Sequence, residues 1–316
     1  MLNISLRGKV IIAGRIRTAT GLHIGGAAAG LDIGGIDNPI IRHPVTREPY
    51  IPGSSLRGKL RTLLDRQLGT RINQEIQTKN PKVRIHECKD SRDYDQCPVC
   101  QIFGLTPGGD RKDWNNLRPT RLMVRDVTLS HEEIEVDGKQ VKINQRLFDA
   151  KTDLPFTEVK WEAAIDRITS AAVPRQNERV PADTVFGPFE FIYNIYDING
   201  GGYGGAAKGA RRDVAWLRHV FEGMRLLEED YLGGYGSRGA GKIAFENLRI
   251  TFKSPAVYEG RDTEKELAGE DQSVNQLNLD DIQERIIGAI AGSQSVEVAP
   301  EAEAPSEIPA EGENTE

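Results

Sequence analysis

Four side chains that bind metals well fall within fifteen residues. His86-x-Cys88-x8-Cys97-x2-Cys100 holds all three cysteines of the chain and one of its five histidines. Three thiolates and one imidazole complete a tetrahedral zinc shell with no open position, which suits a structural site and not a hydrolytic one. The residues between the ligands, 89–96 (KDSRDYDQ), are polar, so core burial cannot order them and the metal would. A redox Cys-x-x-Cys is the competing reading, and no helix onset is expected at Cys97 to support it. An odd number of closely spaced cysteines argues against a disulfide framework and for a reducing compartment.

Two further stretches have the chemistry to hold a polyanion. In residues 52–61 (PGSSLRGKLR) backbone N–H groups, the hydroxyls of Ser54 and Ser55, and Arg57, Lys59 and Arg61 crowd one helix start, where the macrodipole favours phosphate. The spacing is not that of a Walker P-loop. Residues 232–242 (LGGYGSRGAGK) combine five glycines with Tyr235, Arg238 and Lys242, so the main chain can approach a bulky ligand while a ring and two cations engage it. Each stretch also has a plain structural reading, as a capped basic helix and as a flexible connection.

These stretches must be positioned by regular elements. The chain has 316 residues, 38% hydrophobic and 28% charged, enough for a large core and too apolar for general disorder. Residues 4–14 alternate as a buried strand. From Ser54 the period changes: Ser54 and Ser55 can cap a helix whose one face carries Leu56, Leu60, Leu63, Leu64 and Leu68, with a stop at Gly69. Residues 121–129 and 185–198 read as strands separated by an apparent insertion. A second helix runs from Arg211 to Glu229 with Val214, Leu217, Phe221 and Met224 on its apolar face, and residues 242–252 form a last strand. Strand, helix, strand, insertion, strand, helix, strand is an α+β, ferredoxin-like split pattern: a four-stranded sheet backed by two helices.

Net charge conceals a division. Residues 255–316 hold sixteen acidic against three basic residues, which leaves 38 basic and 31 acidic residues before them. The acidic segment, with its Pro-containing end, is expected to be a largely disordered tail outside a domain of residues 1–254. The body is basic by about seven charges, which suits nucleic acid. No apolar run approaches the roughly eighteen residues of a membrane span, and charges interrupt the start where a secretion signal would lie. A cytoplasmic, membrane-free protein is expected.

Several motifs then coincide in order. Residues 33–41 (IGGIDNPII), 50–59 (YIPGSSLRGK), 157–161 (TEVKW), 165–169 (IDRIT), 174–176 (PRQ) and the glycine-rich loop closely resemble the RAMP superfamily. More narrowly they resemble the repeated backbone subunit of the type III-A CRISPR effector, the Csm complex. The resemblance spans roughly residues 1–254. It implies a ferredoxin-like, RRM-related domain with a zinc segment at about 82–104 and a thumb insertion at about 130–184. It also implies partners: guide RNA (crRNA), complementary target RNA, further copies of the chain in a head-to-tail filament, and other type III effector subunits.

The resemblance places the catalytic aspartate in an Ile-Asp-x-Pro-hydrophobic motif, here at Asp37, with Asp32 ranked second; read alone, an Asp before Asn-Pro is a turn residue. Target cleavage would use the RNA 2′-hydroxyl as nucleophile and a divalent cation, Mg2+, as cofactor beside the structural Zn2+. Ser54, Ser55, Arg57, Lys59, Gly234, Gly236, Ser237 and Arg238 would hold the guide, and Lys160, Arg167 and Arg175 the heteroduplex. His86, Cys88, Cys97 and Cys100 match the zinc segment of many relatives.

Rival readings are a guide-holding scaffold that does not cut and a metal-independent, guide-processing endoribonuclease working through a histidine such as His23 or His43. A third is a zinc-stabilised RNA-binding protein of another kind.

Overall fold

In a computed structural model of the chain, which describes residues 3–26, 36–76, 82–106, 117–152, 154–199 and 206–294, the first alternation becomes β1 (Asn3–Thr18). Val10, Ile12 and Ile16 are fully buried on one side of it, while Lys9, Arg15 and Arg17 stay partly exposed. The pleat requires this period of two. A short β2 (Tyr50–Ile51) leads into α1 (Gly53–Gln67), which buries Leu56, Leu60, Leu63 and Leu64. Neither serine caps it: Pro52 is the N-cap, and Asp126 Oδ1 accepts the Gly53 N–H at 2.7 Å. Leu68, expected on the buried face, is the exposed C-cap.

The segment with the Cys/His cluster follows as the ribbon β3 (Gln74–Ile76) and β4 (Val83–Ile85) with the short helices α2 (Ser91–Gln96) and α3 (Pro98–Phe103). The strand expected at 121–129 is broken into β5 (Leu122–Val124) and β6 (Val127–Thr128) around the Asp126 that caps α1. The insertion holds a small hairpin, β7 (Glu133–Val136) and β8 (Lys139–Lys142), then α4 (Gln145–Asp149) and a longer hairpin, β9 (Glu158–Ile165) and β10 (Ala172–Arg179). Then come β11 (Val185–Asn199), α5 (Ala206–Glu229) and β12 (Ile243–Lys253).

The main sheet is antiparallel with order β13-β12-β1-β11-β5, where β13 is Lys265–Gln272. Helix α1 connects β1 towards β5 and α5 connects β11 to β12, and the two helices pack on each other. Gly223 permits that approach, since a Cβ there would lie 3.3 Å from Leu60 Cδ2. Between helices and sheet, the rings of Phe189, Phe191 and Phe245 meet at centroid distances of 4.9, 5.4 and 6.2 Å. Those separations are typical of tilted and edge-to-face aromatic packing.

The expected boundary at residue 254 does not hold, and the sheet has five strands where four were expected. After α6 (Pro255–Tyr258), β13 pairs with β12, and α7 (Leu279–Gln294) lies against α5. Charge summed over 255–316 conceals a helical period. Ile282, Ile286, Ala289 and Ile290 are buried at three- and four-residue intervals, whereas Asp280, Asp281 and Glu284 are exposed. Arg225 of α5 ties the connection by donating to the carbonyls of Val274 and Leu277. The rest of the acidic segment, 295–316, lies outside the described residues.

Candidate nucleic-acid interface and metal centre

The Asp37 loop lies along the β9–β10 hairpin. Asn38 forms a parallel bridge with Asn177; the Glu178 N–H donates to the Asn38 carbonyl at 3.1 Å, and Asn38 Nδ2 donates to Asn177 Oδ1 at 2.9 Å. Two residues on, the Ile40 N–H donates to Glu178 Oε2 at 2.9 Å. Glu178 Oε1 accepts from Thr157 Oγ1 at 2.8 Å and pairs with Arg42 at 2.5 Å. Arg42 also donates to the carbonyls of Arg47 and Pro155. Glu178 is buried, so this pair staples the loop to the hairpin base in a medium that strengthens it. Asp37 itself is exposed, with Oδ2 accepting the Gln176 N–H at 3.0 Å.

The glycine-rich loop reaches the same place. His23 is buried with Nδ1 2.6 Å from the Glu178 carbonyl, and its ring meets Tyr235 edge-on at 4.8 Å. The Gly234 N–H donates to the His23 carbonyl at 2.8 Å. Gly233 has φ +75°, and a Cβ there would fall 2.1 Å from that carbonyl oxygen, so only glycine fits. On the solvent side Arg238 Nη1 lies 3.0 Å from Glu162 Oε2, and Lys160 Nζ lies 3.1 Å from Glu162 Oε1. Arg175 is directly opposite Glu162 in the β9–β10 register. Asp37, Lys160, Arg175, Gly234, Gly236, Ser237 and Arg238 thus lie on two loops and a hairpin that are bonded to one another. Arg167 is apart from them, exposed at the far turn of the hairpin, where Asp166 Oδ1 accepts the Ile168 and Thr169 N–H groups.

The helix-start set is placed differently from expectation. Ser54 is exposed and Ser55 half-buried. Arg57 turns inward: it donates to the carbonyls of Phe103 and Leu122 and stacks 5.7 Å from the Phe103 ring. Burial, with Arg61 nearby, lowers its pKa below the usual guanidinium value. Lys59 Nζ lies 3.6 Å from the Tyr231 ring centroid and 3.4 Å from Asp230, immediately before the glycine-rich loop. Arg57 and Lys59 each engage protein groups at the helix start where guide contacts are expected. Asp32 lies outside the described residues.

The four metal-ligand candidates meet. Their ligand atoms all lie within 4.8 Å of one another, with Cys88 and Cys100 buried. His86 Nδ1 donates to the Arg71 carbonyl at 2.9 Å, which leaves Nε2 aimed at the sulfurs, 3.4 Å from Cys97 and 3.7 Å from Cys88. Zinc bonds of about 2.05 Å to nitrogen and about 2.3 Å to sulfur at tetrahedral angles put those atoms about 3.6 Å apart, so the donor set fits the ion. A helix does begin at Cys97, contrary to expectation: its Sγ accepts the Cys100 N–H at 3.4 Å. The convergence of His86 and Cys88 on the same point is what separates this arrangement from a two-cysteine redox motif. Arg61 of α1 locks the segment in place by donating to the carbonyls of His86 at 2.8 Å and Gly104 at 3.2 Å.

Sequence reasoning missed Arg42, Glu162 and Glu178 as parts of this site. Each acts through a partner distant in the chain, and no spacing marks it. Arg61 was noted only as a charge near a helix start.

Among the described residues no helix is long and apolar enough to cross a membrane. The sequence model of the RAMP superfamily matches residues 15–244. The chain is 37% identical over 280 residues to the CRISPR system Cms endoribonuclease Csm3 of Methanocaldococcus jannaschii, covering 88% of this chain and 94% of that one. It is 38% identical to the protein of the same name from Methanothermobacter thermautotrophicus, covering 85% and 96%. The Streptococcus thermophilus protein of that name is 39% identical, with 77% and 90% covered. A chain from the crystal structure of the Csm3-Csm4 subcomplex in the type III-A CRISPR-Cas interference complex is 30% identical, with 87% and 97% covered and a TM-score of 0.48. The family model over residues 15–244 and the three relatives at 37–39% identity over most of both chains show that the chain belongs to the RAMP superfamily and, within it, to the Csm3 family.

Proposed function

We propose that the chain is the repeated backbone subunit of a type III CRISPR ribonucleoprotein, which holds guide RNA and cuts complementary target RNA at regular intervals. One observation carries this reading: the exposed Asp37 carboxylate is held by the Gln176 N–H at the base of a hairpin that also presents Lys160, Arg175 and, across the loop contact, Arg238.

In this reading the RNA supplies its own nucleophile. The 2′-oxygen attacks the adjacent phosphorus, the P–O5′ bond breaks, and one proton passes from the 2′-oxygen to the departing 5′-oxygen. Asp37 Oδ2 is fixed by the hydrogen bond from Gln176, while Oδ1 has no protein partner among the described residues and is available to the reacting groups. The exposed Trp161, Ile165, Ile168 and Val173 on β9, β10 and their turn wedge apart the guide–target duplex so that the backbone can bend into line. Lys160, Arg167, Arg175 and Arg238 position phosphates. Asp37 would hold a divalent cation, Mg2+ in our reading, which would supply charge neutralisation to the reacting phosphate. One exposed carboxylate suits such an ion, which retains waters and draws further ligands from the substrate.

The strand order β12-β1-β11-β5 with two crossover helices supports the ferredoxin-like description, and the convergence of one imidazole and three thiols supports structural zinc at His86, Cys88, Cys97 and Cys100. Head-to-tail copies along the guide, with other effector subunits at the ends, complete the assembly, and the thiolate site suits a reducing cytoplasm.

The test is a denaturing gel of end-labelled RNA complementary to the guide, incubated with the assembled complex and magnesium. A ladder of evenly spaced cuts is expected for wild type, and its loss with target binding retained for Asp37→Ala. An unchanged ladder in the variant would remove Asp37 from the chemistry. No ladder in wild type would leave a guide-holding scaffold, and a ladder resistant to EDTA would exclude the cation.

A further inference from the structure

Glu162 is an acidic residue in the middle of the proposed RNA-binding surface. Its two oxygens are divided between two cations from separate elements: Oε2 to Arg238 of the glycine-rich loop at 3.0 Å and Oε1 to Lys160 of its own strand at 3.1 Å. A third cation, Arg175, is its cross-strand neighbour. The Glu162 side chain is 16% exposed, against 49% for Arg238 and 34% for Lys160, so the carboxylate sits behind the cations it holds. Partial burial works against the charged carboxylate, yet Lys160 and Arg238 keep its pKa below the ordinary value.

The shape of this arrangement is that of a phosphate site. A carboxylate and a phosphodiester each offer two anionic oxygens to charge-assisted hydrogen bonds from guanidinium and ammonium groups. Resting on the RNA-binding reading above, we propose that Glu162 is an internal stand-in for an RNA phosphate. In the RNA-free subunit it keeps Arg238 and Lys160 in place and ties the glycine-rich loop to the hairpin. An incoming phosphodiester takes over both cations, and the carboxylate turns out to solvent. Glu162 is thus a positioning residue: it prevents three clustered cations from splaying apart, and it sets a threshold that isolated small anions do not pass.

The experiment measures fluorescence anisotropy of a labelled oligouridylate of about ten nucleotides with the full chain across a salt series. Removing the competing charge by Glu162→Gln is expected to tighten binding about threefold to tenfold at low salt. The slope of log K against log salt should steepen by about 0.7, one more effective phosphate contact. Glu162→Asp, which keeps the charge but has one methylene less of reach, should fall between wild type and Gln. In the background Lys160→Met, Arg238→Ala, the gain from Glu162→Gln should vanish. A purely structural Glu162 predicts the opposite: Gln and Asp variants that bind equally or more weakly with an unchanged slope, which would overturn the inference. Salt-insensitive or absent binding by wild type would overturn the RNA reading itself, and this inference with it.

Discussion

Asp37 and Gln176 are separated by 139 residues yet joined by a single hydrogen bond of 3.0 Å, from the Gln176 main-chain N–H to Asp37 Oδ2. Because the donor is backbone within a strand, no side chain has to be ordered to hold the carboxylate. The loop that carries Asp37 and the hairpin proposed to distort the RNA thereby move as one piece. Reactive groups have to be placed to a fraction of an ångström for in-line chemistry, and the role proposed for Asp37 relies on this joint for that placement.

The staple behind that joint is Glu178. It pairs with Arg42 and accepts from Thr157 and the Ile40 N–H while buried, so Glu178→Ala takes the counter-charge from the Arg42 guanidinium and the acceptor from the Ile40 amide and the Thr157 hydroxyl. Urea denaturation should show a loss of about 3 kcal/mol. Glu178→Gln, whose single amide oxygen can still accept from either the Ile40 N–H or the Thr157 hydroxyl, should lose less. Equal losses from the two variants would show that shape and not hydrogen bonding holds the loop.

The purified chain should carry one zinc ion on His86, Cys88, Cys97 and Cys100, and chelation should lower its melting temperature and expose its thiols to Ellman reagent. Without metal, hydrogen bonds from the Cys100 and Cys88 thiols hold Cys97 at about 2, as a thiolate. Hydrogen bonding to Cys100 and Cys97, with burial, pushes Cys88 far up. Against a hydrogen bond from Cys88 that lowers it, the Cys97 sulfur and burial push Cys100 up to about 12. Near neutrality Cys88 and Cys100 therefore hold protons that the metal must displace. Calorimetry in buffers of different ionisation enthalpy should find about two protons released per zinc. Affinity should then rise with pH and fall with acid, about tenfold per displaced proton for each pH unit. Proton-neutral uptake would contradict this assignment.

Arg121 and Asp213 form a fully buried ion pair at 3.1 Å between the start of β5 and α5. Burial raises the Asp213 pKa, while Arg121 and the Tyr196 N–H oppose that rise. Asp213→Ala strands a buried guanidinium and should cost about 3–5 kcal/mol in equilibrium unfolding. The apolar double variant Arg121→Met, Asp213→Leu should recover most of it. A double variant as unstable as the single one would mean that the pair is favourable in itself.

Truncation after Ser254 removes β13, which pairs with the edge of β12, and α7, which buries Ile282, Ile286 and Ile290. The shortened chain should aggregate, because it bares a sheet edge and an apolar helix face together. Size-exclusion chromatography with light scattering decides this. A soluble monomer of 1–254 would restore the boundary expected from charge alone.

What was legible in the sequence was whatever repeats or clusters locally. The alternation in β1 and the three- and four-residue spacing in α1 and α5 mark the elements, because a pleat and a helix each impose their period on the residues they bury. The candidate metal set was legible because its four side chains lie within fifteen residues, and Asp37 was singled out by the resemblance of its motif to a family. Leu56, Leu60 and Leu64 required no tertiary information to be assigned to the core.

Tertiary structure alone decided the direction each charge faces. Arg57 and Arg238 look alike in the sequence, each a cation in a Gly- and Ser-containing stretch, yet Arg57 binds internal carbonyls and Arg238 meets Glu162 from 76 residues away. Arg42 finds Glu178 across 136 residues. Summed charge also misassigned 255–294, since an acidic surface and a buried isoleucine stripe coexist on one helix. By itself the sequence determined β1, α1 and α5, the candidate metal cluster and the motif around Asp37. The fold decided which cations face solvent, what completes the sheet, and which strand holds the Asp37 carboxylate, because a long-range pair leaves no periodic trace in the chain: its energy depends on a distance that exists only after folding.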